Sequence, residues 1–93
     1  MPTKVHCERC GAFFALPEFP VEKQSRIADL RRMKLFAEAT RLVFARHDIE
    51  LGDAKSVIYH VTRKSGVCHR CSAELLGNGQ VVCSKCRSLN FDW

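Results

Sequence analysis

Proline is scarce in this chain of 93 residues, with only three, and tryptophan and tyrosine occur once each. The stretch from Val21 to Leu51 contains no glycine and no proline, so nothing there punctuates a helix. No apolar run is long enough to span a bilayer, which excludes a transmembrane helix. The start, MPTKVHCERCG, lacks the apolar core of a secretory leader, so a cytoplasmic protein is expected. There is no phosphate-cradling glycine loop and no Ser/His/Asp constellation. Nothing in the pattern specifies an open catalytic metal site, and a non-enzymatic protein is expected.

Cysteine, by contrast, is plentiful: there are six, arranged as three Cys-x-x-Cys pairs. In the cytoplasm such pairs serve as metal ligands or redox thiols more often than as structural disulfides. A chain this short buries a limited core, and a bound metal is a common supplement.

Two of the pairs stand close together in CHRCSAELLGNGQVVCSKC, residues 68–86, with eleven residues between them. Two thiolates two residues apart reach one ion through a tight turn whose amides donate to the sulfurs. Two such turns supply four sulfurs in a tetrahedron, the closed geometry of structural zinc. Cys68, Cys71, Cys83 and Cys86 are therefore the expected ligands of one zinc ion, with iron chemically feasible in the same geometry. Asn78-Gly79 lies between the apolar flanks AELL and QVV, which predicts a hairpin turn there, with a Cys pair at each end. Residues 67–88 resemble the short four-cysteine zinc ribbon of small bacterial zinc-ribbon proteins. That resemblance implies a metal site and a fold, without naming a function. The segment between the pairs has one acid and no Lys or Arg, which argues against nucleic-acid reading by the ribbon.

The chain reads as three blocks: an N-terminal segment with a Cys-x-x-Cys knuckle at 1–20, an amphipathic helical hairpin at 21–65, and the ribbon with an aromatic tail at 66–93. In the first block Pro17 and Pro20 oppose helix, and Phe13, Phe14, Leu16 and Phe19 need helices to pack against. In the second, Ser25 is a plausible N-cap. Ile27, Leu30, Met33, Phe36, Ala39, Leu42 and Val43 recur at helical spacing, with a drift after Met33. One long helix to about Arg46, or two with a break near Arg32–Lys34, would fit. A further helix carries Ala54, Val57, Ile58 and Val61 on one face, with Gly66 expected just past its end. The tail, with Phe91 and Trp93, is expected to fold back over the ribbon or the helices, because a two-stranded ribbon cannot build its own core. The fold class expected is a small α+β metal-stabilised domain, a helical hairpin packed on a C-terminal two-stranded zinc ribbon.

Residues 38–58, EATRLVFARHDIELGDAKSVI, are similar to the first two helices of the C-terminal domain of the bacterial ribosomal stalk protein. The likeness rests on Ala39, Leu42, Ile49, Leu51, Ala54, Lys55 and Val57, with Asp53 for the acid. In that family the helical pair offers translational GTPases a surface carrying basic residues. Arg41 and Lys55 are basic at those positions, a third position is Phe44, and Asp48 and Glu50 replace loop glycines. The resemblance implies helix-hairpin packing and a protein-docking role.

Net charge is +5, and residues 22–64 hold ten basic against six acidic side chains. Lys23, Arg26, Arg31, Arg32 and Lys34 face Asp29 alone within 23–34. With Arg41 and Lys55 they form the candidate contact surface, either for an acidic protein or for nucleic acid, or simply a solvated helix face. A protein partner is favoured.

Cys7 and Cys10 are left over. They could bind a second metal with two histidines drawn from His6, His47, His60 and His69, share a metal with a second chain in a dimer, or stay free or disulfide-linked. They could also act as a redox or redox-sensing pair, the alternative function. Joining one of the later pairs would require closing 57 intervening residues, at a greater entropic cost than closing eleven. No histidine stands out as a ligand: His60 sits beside an apolar helix face, and His69, between two ligands, is expected to face solvent.

Overall fold

The computed structural model describes residues 3–44, 49–77 and 79–93. The chain opens with an antiparallel pair, β1 (Thr3–His6) and β2 (Phe13–Leu16), in register from Thr3↔Leu16 to His6↔Phe13. Three helices follow: α1 (Val21–Arg32), α2 (Phe36–Phe44) and α3 (Leu51–His60). A second antiparallel pair, β3 (Gly79–Val82) and β4 (Leu89–Asp92), closes the chain in register from Gly79↔Asp92 to Val82↔Leu89. The result is a small α+β fold whose C-terminal strands carry the four-cysteine cluster.

Helix α1 starts four residues before Ser25, with Pro20 as its N-cap at φ −58° and its carbonyl accepting from Gln24 N–H. The proline that ends the extended segment is preset for helix entry, so Ser25 lies inside the helix and not at its cap. α1 ends in a Schellman turn: Leu35 N–H donates to Leu30 O and Lys34 N–H to Arg31 O, with Lys34 left-handed at φ 63°. This turn divides the apolar stripe into two helices at the point where its phase drifts.

Helix α3 stops at His60, six residues before Gly66. Val61 is extended and bridges Phe91 in parallel, and Thr62 N–H donates to Phe91 O. The polypeptide leaves the helix early because β4 offers Val61 and Thr62 backbone partners on a buried edge. Gly66 instead sits in a turn, at φ +78°.

The ribbon also differs from the expected hairpin. The segment 73–76 forms no strand; Glu74 only bridges Val67, and Leu76 is exposed. β3 pairs instead with β4, and the second Cys pair forms the connection. The tail decides this: Leu89, Asn90 and Phe91 are all buried, so β4 gains a core that AELL could not. Asn78 lies outside the described residues.

The main core joins β2, the three helices and β4, while Cys68, Leu75 and Cys83 form a second, smaller cluster in the ribbon. Phe14 and Phe19, Ile27 and Ala28, Ala39 and Val43, Ala54, Val57, Ile58 and Val61, and Leu89 and Phe91 form a single buried cluster that includes Cys7. Phe91 is edge-on to Phe14 and stacked under Trp93 at 5.0 Å, so the aromatic tail does fold back, as part of the sheet. Phe13 faces outward and stacks on His6.

Arg32 ties α1 to the C-terminus. Its Nη2 donates to Thr62 Oγ1 at 2.8 Å and lies 3.8 Å from Asp92 Oδ1, which also accepts from Thr62 Oγ1 and from Gly66 N–H.

Candidate metal centres

The three Cys-x-x-Cys segments fold the same way. In each, the amide of the first cysteine donates to the carbonyl five residues on: Cys7 to Ala12, Cys68 to Ala73, Cys83 to Ser88. The carbonyl of the first cysteine accepts from the residue four positions on: Gly11, Ser72 and Arg87. Those three residues are left-handed, with φ of 74°, 63° and 67°. Glycine suits that conformation; Ser72 and Arg87 adopt it at a steric cost. Each segment is thus a knuckle, with its two sulfurs turned to one side. All six thiols are free.

Two knuckles meet in the ribbon. Cys68 Sγ is 3.6 Å from Cys86 Sγ, and Cys71 Sγ is 3.6 Å from Cys83 Sγ. A disulfide would bring sulfurs to ~2.05 Å, whereas four sulfurs ~2.3 Å from one tetrahedral ion stand ~3.8 Å apart. The four sulfurs therefore have the spacing of ligands to one ion, and the donor set suits zinc or iron. Cys68 and Cys83 are buried, Cys86 is half-buried and Cys71 is exposed. Arg70 N–H and Asn90 Nδ2 both donate to Cys68 Sγ at 3.5 Å, placing partial positive charge against the thiolate. Burial pushes the Cys86 thiol up, but the Ser88 hydroxyl and amide, with Cys71 and Cys68, outweigh it and leave it at about 6. The Ala73 amide lowers Cys71, while burial and the three neighbouring thiols raise it, to about 11. Four thiolates this close would repel one another, a charge that a divalent cation offsets.

The third knuckle meets a histidine. Cys10 Sγ lies 3.5 Å from His60 Nε2, and the donor atoms of Cys7, Cys10 and His60 all fall within 4.8 Å of one another. A sulfur and an imidazole nitrogen on one tetrahedral zinc stand ~3.6 Å apart, given bonds of ~2.3 and ~2.0 Å. His60 is 2% exposed, at the last turn of α3. Its Nδ1 donates to Ser56 O at 2.7 Å, which fixes the proton on Nδ1 and turns the Nε2 lone pair toward the thiols. Burial lowers its pKa, with the Ser56 carbonyl opposing, so the ring is neutral and able to ligate. Cys7 Sγ accepts from Leu89 N–H at 3.4 Å. Burial raises the Cys7 thiol, but that amide, with the Cys10 and Arg9 amides and the Cys10 thiol, brings it below its ordinary value. Among the described residues, two groups could hold a metal ion.

His69 is 7% exposed and not turned to solvent. Its backbone N–H donates to Asn90 Oδ1, and its ring packs edge-on against Tyr59 and His60. The knuckle that carries it leans on β4, which buries the ring. His6 is stacked on Phe13, away from both groups, and His47 falls outside the described residues.

The basic residues do not form one patch. Arg31 is buried, its guanidinium over the Phe36 ring at 5.0 Å, and Arg32 is committed to Thr62 and Asp92. Lys23 lies beside Phe19, while Arg26 and Lys34 are exposed on α1 and the turn after it. Arg41 and Lys55 come together from α2 and α3 around a shallow apolar groove of about 490 Å³. No helix among the described residues is long and apolar enough to cross a membrane.

The fold and the paired thiols define a small metal-binding α+β protein built on three knuckles. No protein-family model, curated protein or solved structure matches the chain.

Proposed function

We propose that this protein is a non-enzymatic cytoplasmic adaptor, with structural zinc in its ribbon, that binds an acidic, amphipathic helix of a protein partner. The observation that carries this reading is the groove between α2 and α3. Phe36, Phe44 and Leu51 line it and remain 46%, 43% and 50% exposed, while Thr40, Arg41 and Lys55 supply its polar rim. Apolar side chains are left in water at a cost, and a cluster of them between two helices fits a helix laid into the groove. The two cations at the rim, in a chain of net charge +5, favour an acidic occupant. The four ribbon cysteines would act on folding, holding β3, β4 and the first ribbon knuckle together through the ion.

The redox alternative through Cys7 and Cys10 draws less support, because Cys7 is buried and Cys10 Sγ already faces His60. The nucleic-acid alternative loses two of its five cations within 23–34, since Arg31 is buried and Arg32 is paired.

Fluorescence anisotropy with labelled acidic amphipathic helical peptides tests the adaptor reading. Micromolar binding that falls at least tenfold in an Arg41→Glu, Lys55→Glu double variant is expected. If no such peptide binds more tightly than ~1 mM, the reading is wrong.

A further inference from the structure

The third knuckle has the backbone geometry of the two that face each other in the ribbon, yet no fourth knuckle is present to receive it. The chain contains six cysteines, and four are used in the ribbon. What Cys7 and Cys10 face is the buried His60, and a second buried histidine, His69, lies outside that group of donor atoms but packs against the His60 ring. His60 Nε2 already stands at ligand distance from Cys10 Sγ. The His69 ring centroid is 5.3 Å from that of His60, with the ring planes at 72°. Two imidazoles on one tetrahedral ion, each nitrogen ~2.0 Å from it, place their centroids about 5 Å apart.

Leu89 joins His69 to the same site. Its N–H donates to Cys7 Sγ at 3.4 Å, and its carbonyl accepts from His69 Nε2 at 3.0 Å. One residue of β4 thus touches both the buried thiol and the second imidazole. We propose that Cys7, Cys10 and His60 form a second zinc centre, and that His69 closes it by exchanging its Leu89 hydrogen bond for the metal.

The exchange involves a side-chain movement only, since the backbone of His69 is held by Asn90 Oδ1. The ring changes tautomer in the exchange: Nε2 gives up its proton as Nδ1 takes one from solvent, so a neutral imidazole ligates through the Nε2 lone pair. The completed set has two thiolates and two imidazoles, a closed structural combination. Its consequence is architectural. The first knuckle sits at the tip of the β1–β2 hairpin, His60 ends α3, and His69 lies between the ribbon ligands Cys68 and Cys71. One ion therefore clamps the N-terminal hairpin to the helices and to the ribbon, and the first ribbon knuckle serves both centres. This clamp also assigns Cys7 and Cys10 away from redox exchange.

Native mass spectrometry of the full chain, with zinc titration against a chromophoric chelator, tests the proposal. Two ions per chain are expected in the wild type. His60→Gln and His69→Gln should each loosen the second ion by more than ~100-fold, beyond the ~10–100-fold that losing an outer hydrogen-bonding partner costs. A wild type holding one ion, lost on Cys71→Ser, would overturn the second centre while leaving the ribbon zinc standing. A wild type with two ions whose second is unaffected by His69→Gln would overturn closure by His69 and leave a three-ligand site open to solvent. Should either variant fail to fold, cadmium-substituted wild-type protein decides. Scalar coupling between spin-active cadmium and the ring protons of both histidines is expected, and coupling to His60 alone would refute the role of His69.

Discussion

Cys10 Sγ and His60 Nε2 lie 3.5 Å apart across 50 residues of chain, brought together because α3 packs on β2 and ends beside the tip of the β1–β2 hairpin. The contact is between donor atoms, not between carbon surfaces. Ser56 O holds the far nitrogen of His60, so the near one keeps its lone pair directed at the thiol. This relationship turns an isolated Cys-x-x-Cys pair into part of a group that could hold a metal ion, and it shapes several expected outcomes.

Removing metal should unfold the protein. Thiolate–zinc binding contributes ~10–16 kcal/mol in zinc-finger peptides, comparable to or larger than the ~5–15 kcal/mol net stability of a whole domain. Treatment with a strong chelator is expected to abolish the cooperative thermal transition seen by circular dichroism. Retention of an unchanged melting temperature after complete stripping would contradict a structural metal in the ribbon.

Acid should destabilise the fold in a defined window. Burial lowers His60 below its ordinary 6.5, and burial together with repulsion from His60 lowers His69 to about 4. The unfolded chain therefore binds more protons than the native one below ~6.5, and stability rises with pH through that range. The contribution is fully present above ~6.5 and declines as the pH falls toward about 4. Thiolate protonation at the metal acts in the same direction. The urea midpoint should be lower at pH 5.5 than at pH 7.5; equal midpoints would show that neither ring is buried neutral.

Lys34→Gly should stabilise the protein. Lys34 occupies the left-handed position of the Schellman turn between α1 and α2, at φ 63°, and its side chain is exposed. Glycine relieves the Cβ strain there, for a gain of about 0.5–1 kcal/mol after its larger unfolded-state entropy is subtracted. Chemical denaturation of the variant measures it, and a loss of stability would mean that the lysine side chain makes an offsetting contact.

Asp92→Ala should cost about 1–3 kcal/mol, since it leaves the Gly66 amide without its acceptor and Thr62 Oγ1 with one fewer partner, and unpairs Arg32. A double-mutant cycle with Arg32→Ala should show coupling, because both side chains meet at Thr62. Strict additivity would exclude a shared network.

Much of the four-thiol site could be read in the sequence, because its information is local. Two residues between cysteines set the reach of a knuckle, and eleven residues between knuckles keep the loop short enough to close. The α+β class and the helical stretches followed from apolar periodicity and the placement of proline, both short-range signals. Other features depend on which distant surface a segment meets. AELL carried the hairpin signal but lost β3 to Leu89–Asp92, whose side chains enter the core. Gly66 looked like a helix end, but backbone pairing between Thr62 and Phe91 ended α3 earlier.

The sequence by itself determined three knuckles, their sulfurs and the amphipathic helices, since spacing and periodicity act within a few residues. Only the tertiary structure decided what the first knuckle faces. Cys7 and Cys10 lie far in sequence from His60 and His69, at no spacing that marks a ligand set, and hydrophobic burial of Phe14, Val57 and Phe91 brings these segments together. Burial is non-directional and sums over many residues, so the position of a polar donor at the end of a packed helix follows from the whole core rather than from its neighbours in the chain.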